Sequence, residues 1–119
     1  MPSIDQHVTK AEATYAFAQS INLESQAEIG WALVVIFYAA VHYIEAYFAT
    51  SERHLRSHPT RDSLVGKDVN LKSIFHEYQE LKYYGYNARY EMTEFTVQDF
   101  RTEAISNFVK IRDLITPLL

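Results

Sequence analysis

Three groups of residues in this sequence carry side chains able to do chemistry. His42 and Glu45 stand three positions apart, which on a helix sets an imidazole and a carboxylate one turn apart on one face. Such a pair can relay a proton or present two ligand atoms inside a cleft. The plainer alternative is a polar collar where a buried helix emerges, with each group hydrogen-bonded. No neighbouring residue in the sequence adds further ligands, and a zinc site takes three or four. Neither a metal nor any other cofactor is expected.

The second group is Arg53-His54-Leu55-Arg56-Ser57-His58, continuing as Pro59-Thr60-Arg61-Asp62. Arginine offers a permanently charged fork of donors to phosphate oxygens, and histidine titrates near neutrality and can move a proton. Arg53 and His58 together suffice for metal-free RNA cleavage: the imidazole handles the 2′-hydroxyl or leaving-group proton, and the guanidinium stabilises the phosphorane. An Arg followed by a His after four to six residues is expected roughly once by chance in a chain of this composition, so the spacing alone is weak. The third group is Lys82-Tyr83-Tyr84-Gly85-Tyr86-Asn87-Ala88-Arg89-Tyr90. Tyrosine rings beside cations can stack bases and hold phosphates; they also serve as wedges between helices whose hydroxyls reach water. No glycine loop for phosphate, metalloprotease motif or Ser–His–Asp set is present.

The elements that must position these groups read as helices. Ser3 with Gln6 forms a capping-box spacing before a helix over about Ile4–Ile21, with Val8, Ala11, Tyr15 and Ala18 on one stripe. Ser25 with Glu28 announces a second helix over roughly residues 26 to 50. One face of it carries Trp31, Val34, Val35, Tyr38, His42, Glu45 and Ala49, and the opposite face is apolar throughout. A helix apolar on nearly every side must be surrounded by its own bundle or by a partner subunit. Ser51 to Asp68 reads as the one long connection, interrupted by Pro59 and Gly66. Connections of that length are often functional. A third helix is expected from about Asp68 or Asn70, with Leu71, Ile74, Phe75, Tyr78 and Leu81 on its stripe and Gly85 as its stop. Tyr86 to Glu91 reads as a further helical turn. Thr96 with Asp99 opens the last helix, along which Val97, Phe100, Ala104, Phe108, Ile111, Ile115 and Leu118 recur. The expected fold is all-α: a four- to five-helix, mostly antiparallel up-and-down bundle with a long loop between the second and third main helices. A chain of 119 residues makes one such domain over 1–119.

Composition narrows the function classes. The net charge of −4 argues against a broadly basic nucleic-acid binder, though it leaves room for a local basic patch. With no cysteine, disulfides, thiolate metal sites and cysteine nucleophiles are excluded, in keeping with a cytoplasmic setting. Met1 to Lys10 is polar and lacks the apolar core of a signal peptide. Ile29 to Val41 runs thirteen residues without a charge, short of the about 20 a membrane span needs. A buried core helix, and no membrane partner, is the expectation.

The order of features resembles a HEPN domain, a small helical bundle associated with nucleotides and RNA in prokaryotic defence and toxin–antitoxin systems. The resemblance is carried by Trp31-Ala32, by Phe37-Tyr38-Ala39-Ala40-Val41-His42-Tyr43-Ile44-Glu45-Ala46, and by Ser57-His58-Pro59-Thr60-Arg61. It continues through Tyr78, Leu81 and Ala88-Arg89-Tyr90, and covers about residues 8 to 115. Ribonuclease members of that family use an Arg followed after four to six residues by a His, in a cleft shared across a dimer. No His follows Arg89 within the next seven residues, and the spacing occurs instead at Arg53 and His58. The resemblance therefore implies a non-catalytic member that binds nucleotide, RNA or a protein partner as a homodimer through the second helix. A nucleotidyltransferase or an antitoxin is the partner it suggests. The binding residues it implies are His42, Glu45, Arg61, Arg89 and Tyr90. The alternatives are a metal-independent endoribonuclease using Arg53 and His58, and a purely structural oligomerisation adaptor.

Overall fold

A computed structural model describes residues 2–51, 53 and 58–119, and among them there is helix but no strand. Helix α1 spans Ile4–Ser20 and begins with a full capping box: Ser3 Oγ accepts from the Gln6 N–H, and the Ser3 N–H donates back to Gln6 Oε1. Helix α2 spans Gln26–Ala49, with Ser25 Oγ accepting from the Glu28 N–H at 3.2 Å. The short link between α1 and α2 folds the two against each other, and α4 and α5 pack on other sides of α2. The central helix is therefore buried by its own chain: Leu33, Ile36, Ile44 and Phe48 are fully enclosed. By length and hydropathy α2 qualifies to cross a membrane, but 72% of its most apolar window lies buried inside the fold. Its apolarity builds the core of a compact globule, whose radius of gyration of 13.8 Å matches the value of about 13.5 Å expected for this length.

Two boundaries differ from the sequence expectation. The connection after α2 contains a helix, α3, over His58–Lys67. Pro59 opens it rather than breaking it, because a proline in the first turn has no intrahelical N–H to lose. Arg61 and Val65, four residues apart on α3, are both buried. Downstream, the Asp68 carboxylate accepts from the Asn70 and Leu71 N–H groups, and a 3-10 turn at Lys72–Ile74 leads into α4 at Phe75–Tyr90. Gly85 does not end α4. It lies buried in the helix where α2 crosses, and a Cβ built there would stand 3.5 Å from Phe37 Cβ. Small size at a helix crossing, not a left-handed cap, is what this glycine supplies.

The final helix starts as its capping signature implies: the Asp99 N–H donates to Thr96 Oγ1, and the Thr96 N–H to Asp99 Oδ2. A π-helical turn at Asp99–Ala104 runs into α5 at Ile105–Ile115, and a 3-10 turn closes the chain at Thr116–Leu118. The wider π turn keeps Phe100, Ala104 and Phe108, each four residues apart, on one inward line; all three are buried. The Gln26 side chain clamps the strand-like approach to α5, giving and taking hydrogen bonds with the Phe95 backbone.

Candidate functional site

The face of α2 bearing Trp31, Val35, Tyr38, His42, Glu45 and Ala49 is the one its neighbours cover least. Trp31 is exposed, and the other five are half-buried between flanking helices. Different helices supply polar groups along this stripe, and two distinct sites result.

Toward the C-terminal end of α2, His42 and Glu45 meet His7 from α1 and Arg61 from α3. His7 Nδ1 lies 3.3 Å from His42 Nδ1 and 3.5 Å from Glu45 Oε2. Arg61 Nη2 donates to Glu45 Oε1 at 3.0 Å. His7 and Arg61 are buried, with 7% and 6% of their surfaces exposed, so this is an interior cluster with an edge open to solvent. Burial holds the His42 imidazole below its ordinary pKa. The Glu45 carboxylate pulls it up, while His7, Lys10 and Arg61 push it further down, and the net shift is downward. His42 is consequently neutral at pH 7 and presents a nitrogen lone pair. A groove of about 500 Å³ lined by Pro2, Gln6 and Lys10 reaches both imidazoles.

Next along α3, the Asp62 carboxylate accepts from the Tyr78 hydroxyl and the Lys82 ammonium of α4. Burial pushes the Tyr78 hydroxyl well above its usual range, and the Asp62 carboxylate adds to the effect. Tyr78 is therefore a proton donor held in place, and the contact anchors α3 to α4.

The second site lies where α2 faces the end of α4. Arg89 Nη1 donates to the Tyr38 hydroxyl at 2.8 Å, Nη2 donates to the Tyr90 hydroxyl, and the guanidinium sits 4.6 Å from the centre of the Tyr90 ring. Two adjoining hollows share Val34, Arg89 and Tyr90. One, of about 190 Å³, is floored by Phe37 and Gly85 and rimmed by Lys82 and Tyr86; the other, of about 380 Å³, reaches Gln26, Gly30 and Trp31. Trp31 is 63% exposed, Tyr86 53% and Tyr90 60%, so three large rings stand in water around one cationic centre.

The residues singled out from sequence thus divide. His42, Glu45 and Arg61 converge, and Arg89 and Tyr90 form a separate site around Tyr38. Arg53 joins neither: it pairs with Asp68 at 3.7 Å, donates to Ser51 Oγ and lies over the Phe48 ring. The His58 side chain lies outside the described residues. Sequence reasoning overlooked His7 and Tyr38. The signal for His7 was present, since it falls four residues before Ala11 and eleven before Ala18 on the buried stripe of α1. The expectation that nothing joins His42 and Glu45 to complete a ligand set did not reckon with this residue from another helix. No protein-family model matches the chain, and no curated protein and no solved structure matches it either.

Proposed function

We propose that this chain is a HEPN-like, non-catalytic helical domain that binds a nucleotide or a short stretch of single-stranded RNA in the groove between α2 and α4. The observation that carries this reading is the ring of exposed Trp31, Tyr86 and Tyr90 around the Arg89 guanidinium. Exposed rings offer π faces to bases of any sequence, and a cation beside them takes the phosphate. The larger hollow, at about 380 Å³, falls within the range of small-molecule sites, about 300–1,000 Å³. The non-catalytic part is supported by Arg53, whose guanidinium is taken up by Asp68, Ser51 and Phe48. A nucleotide ligand also suits the cytoplasmic setting expected from the composition.

Trp31 is the sole tryptophan of the chain and sits on the rim of the groove, so its fluorescence reports binding directly. Titration with adenosine and uridine nucleotides and with short oligoribonucleotides should quench it saturably, with an affinity that falls as salt rises. Arg89→Ala should abolish the quench in a folded protein. A wild-type signal that stays flat at millimolar ligand sinks the proposal.

Pairing of two copies through α2 has a narrower basis, the exposed Trp31 at the head of a stripe that runs half-buried to Ala49. It predicts a concentration-dependent dimer in sedimentation that Trp31→Glu dissociates. A monomer at every concentration removes it while leaving the groove reading intact.

A further inference from the structure

The cluster of His7, His42 and Glu45 has the geometry of a metal site. The ligand atoms of the three residues all lie within 4.8 Å of one another. The two imidazole Nδ1 atoms are 3.3 Å apart, and His7 Nδ1 lies 3.5 Å from Glu45 Oε2. Zinc bonds imidazole nitrogen at about 2.0–2.1 Å and carboxylate oxygen at about 2.0–2.2 Å, so tetrahedral angles place neighbouring ligand atoms about 3.3–3.5 Å apart. An octahedral magnesium with bonds of about 2.1 Å would need neighbours about 3.0 Å apart, and its preferred ligands are all oxygens.

Hydrogen bonding accounts for the same contacts less well. His7 Nδ1 stands close to both His42 Nδ1 and Glu45 Oε2, and one imidazole N–H cannot be directed fully at both. At 3.3 Å the contact between the imidazoles is also long for a good hydrogen bond. A cation among the three would take one lone pair from each residue.

The surroundings supply the outer partner such sites use. Arg61 donates to Glu45 Oε1 and leaves Oε2 turned toward His7, which fixes the carboxylate as a one-oxygen ligand. His7 is 7% exposed, so its ring is held by the packing of α1 on α2. We propose that His7, His42 and Glu45 form a zinc-binding site with three protein ligands, whose fourth position opens into the groove lined by Gln6 and Lys10. Structural zinc takes four protein ligands, whereas three protein ligands leave the fourth position to water or a bound molecule. Arg61 and Lys10 make the neighbourhood cationic once zinc is bound, which selects an anion, such as hydroxide, phosphate or a carboxylate, for the fourth position. The inference is independent of the α2–α4 groove, because no residue is shared between the two.

The test uses the full chain, stripped with a chelator, loaded with zinc or cobalt(II) chloride at pH 7.5 and dialysed. Elemental analysis should find one zinc per chain, and the cobalt form should show the intense visible bands of a four-coordinate ion. His7→Ala and His42→Ala should each lose the retained metal and the bands, and Arg61→Gln should weaken binding by about 10–100-fold. His76→Ala should bind as wild type, since His76 pairs with Glu80 on the surface of α4. Circular dichroism establishes that each variant is folded, and His7→Gln replaces any alanine variant that is not. Wild-type protein that retains no zinc overturns the proposal, as does retention unchanged in folded His7 and His42 variants. Neither result bears on quenching of Trp31.

Discussion

The two ends of one stripe on α2 have been built in opposite ways. At the C-terminal end, charged and titratable groups from α1, α2 and α3 are drawn inside and lock one another in place: His7, His42, Glu45 and Arg61. At the N-terminal end, α2 and α4 approach through small residues, Gly30 beside Ala88 and Gly85 beside Phe37, and large rings are left in water. Buried charge must be paired to be tolerated, so the first end is held in one geometry and is costly to break. The exposed rings carry no charge that burial would force into pairs, and they leave faces open to water. Fixed ligand geometry suits an ion, whereas open ring faces suit a base.

Truncation should separate the ends most sharply. Removing Arg61 takes from Glu45 its guanidinium partner and leaves it the His7 imidazole, and breaking a buried pair costs about 3–5 kcal/mol. Glu45 retains 21% side-chain exposure, so the lower end of that range, about 3 kcal/mol, is expected for Arg61→Ala in urea denaturation. Arg89→Ala should shift stability by no more than about 0.5 kcal/mol, as surface substitutions do. Equal effects from both would show that the two ends are not differently built.

Ligand affinity should respond in the reverse order. Trp31→Ala and Tyr90→Ala each remove a stacking face worth about 1–3 kcal/mol, or about 5- to 150-fold in affinity. Calorimetry with the nucleotide that quenches Trp31 best would measure this. Arg61→Gln, if folded, should bind that nucleotide as wild type does. Loss of nucleotide binding in Arg61→Gln would merge the two sites into one.

The helices were legible in the sequence because caps and periodicity are local properties. Ser3 with Gln6 and Thr96 with Asp99 mark starts that the hydrogen bonds reproduce. The fold class followed from them. Errors fell where local and tertiary signals compete. Pro59 and Gly66 read as breakers, yet α3 forms because Arg61 and Val65 dock into the core. Gly85 read as a stop, yet it is the close-approach point beneath Phe37. Of the candidate residues, His42 and Glu45 were visible because one helix carries both. His7 was hidden because its meeting with them depends on how α1 lies on α2, which no spacing encodes. Tyr38 was hidden for the same reason: only the packing of α4 brings Arg89 to its hydroxyl.

Acid should also act on the two ends unequally. His42 has a folded-state pKa below the ordinary value of 6.5, so the unfolded chain takes up its proton first as pH falls. Folding stability is then fully present above about pH 6.5 and is lost as pH drops from there toward the folded-state value. The groups facing this imidazole are Glu45, His7, Lys10 and Arg61. The melting temperature of the metal-free protein should fall between pH 7 and pH 5, and His42→Asn should flatten that slope. An unchanged slope in His42→Asn would assign the acid sensitivity to another group.

The smallest expected change is a gain, at the small-residue end. Gly85 lies within α4, and a methyl there would meet Phe37 Cβ at 3.5 Å and Cδ2 at 3.6 Å, ordinary contact distances. Helical glycine is less favourable than alanine by about 0.5–1 kcal/mol, so Gly85→Ala should raise the melting temperature by a few degrees. The methyl also raises the floor, on the Phe37 side, of the hollow of about 190 Å³ beside Arg89. Ligands seated in the larger hollow beside Trp31 should keep their affinity, while those reaching down to Phe37 should lose some. A destabilised Gly85→Ala would mean that α2 and α4 lie closer than these distances allow, and that the N-terminal end too is held by tight packing.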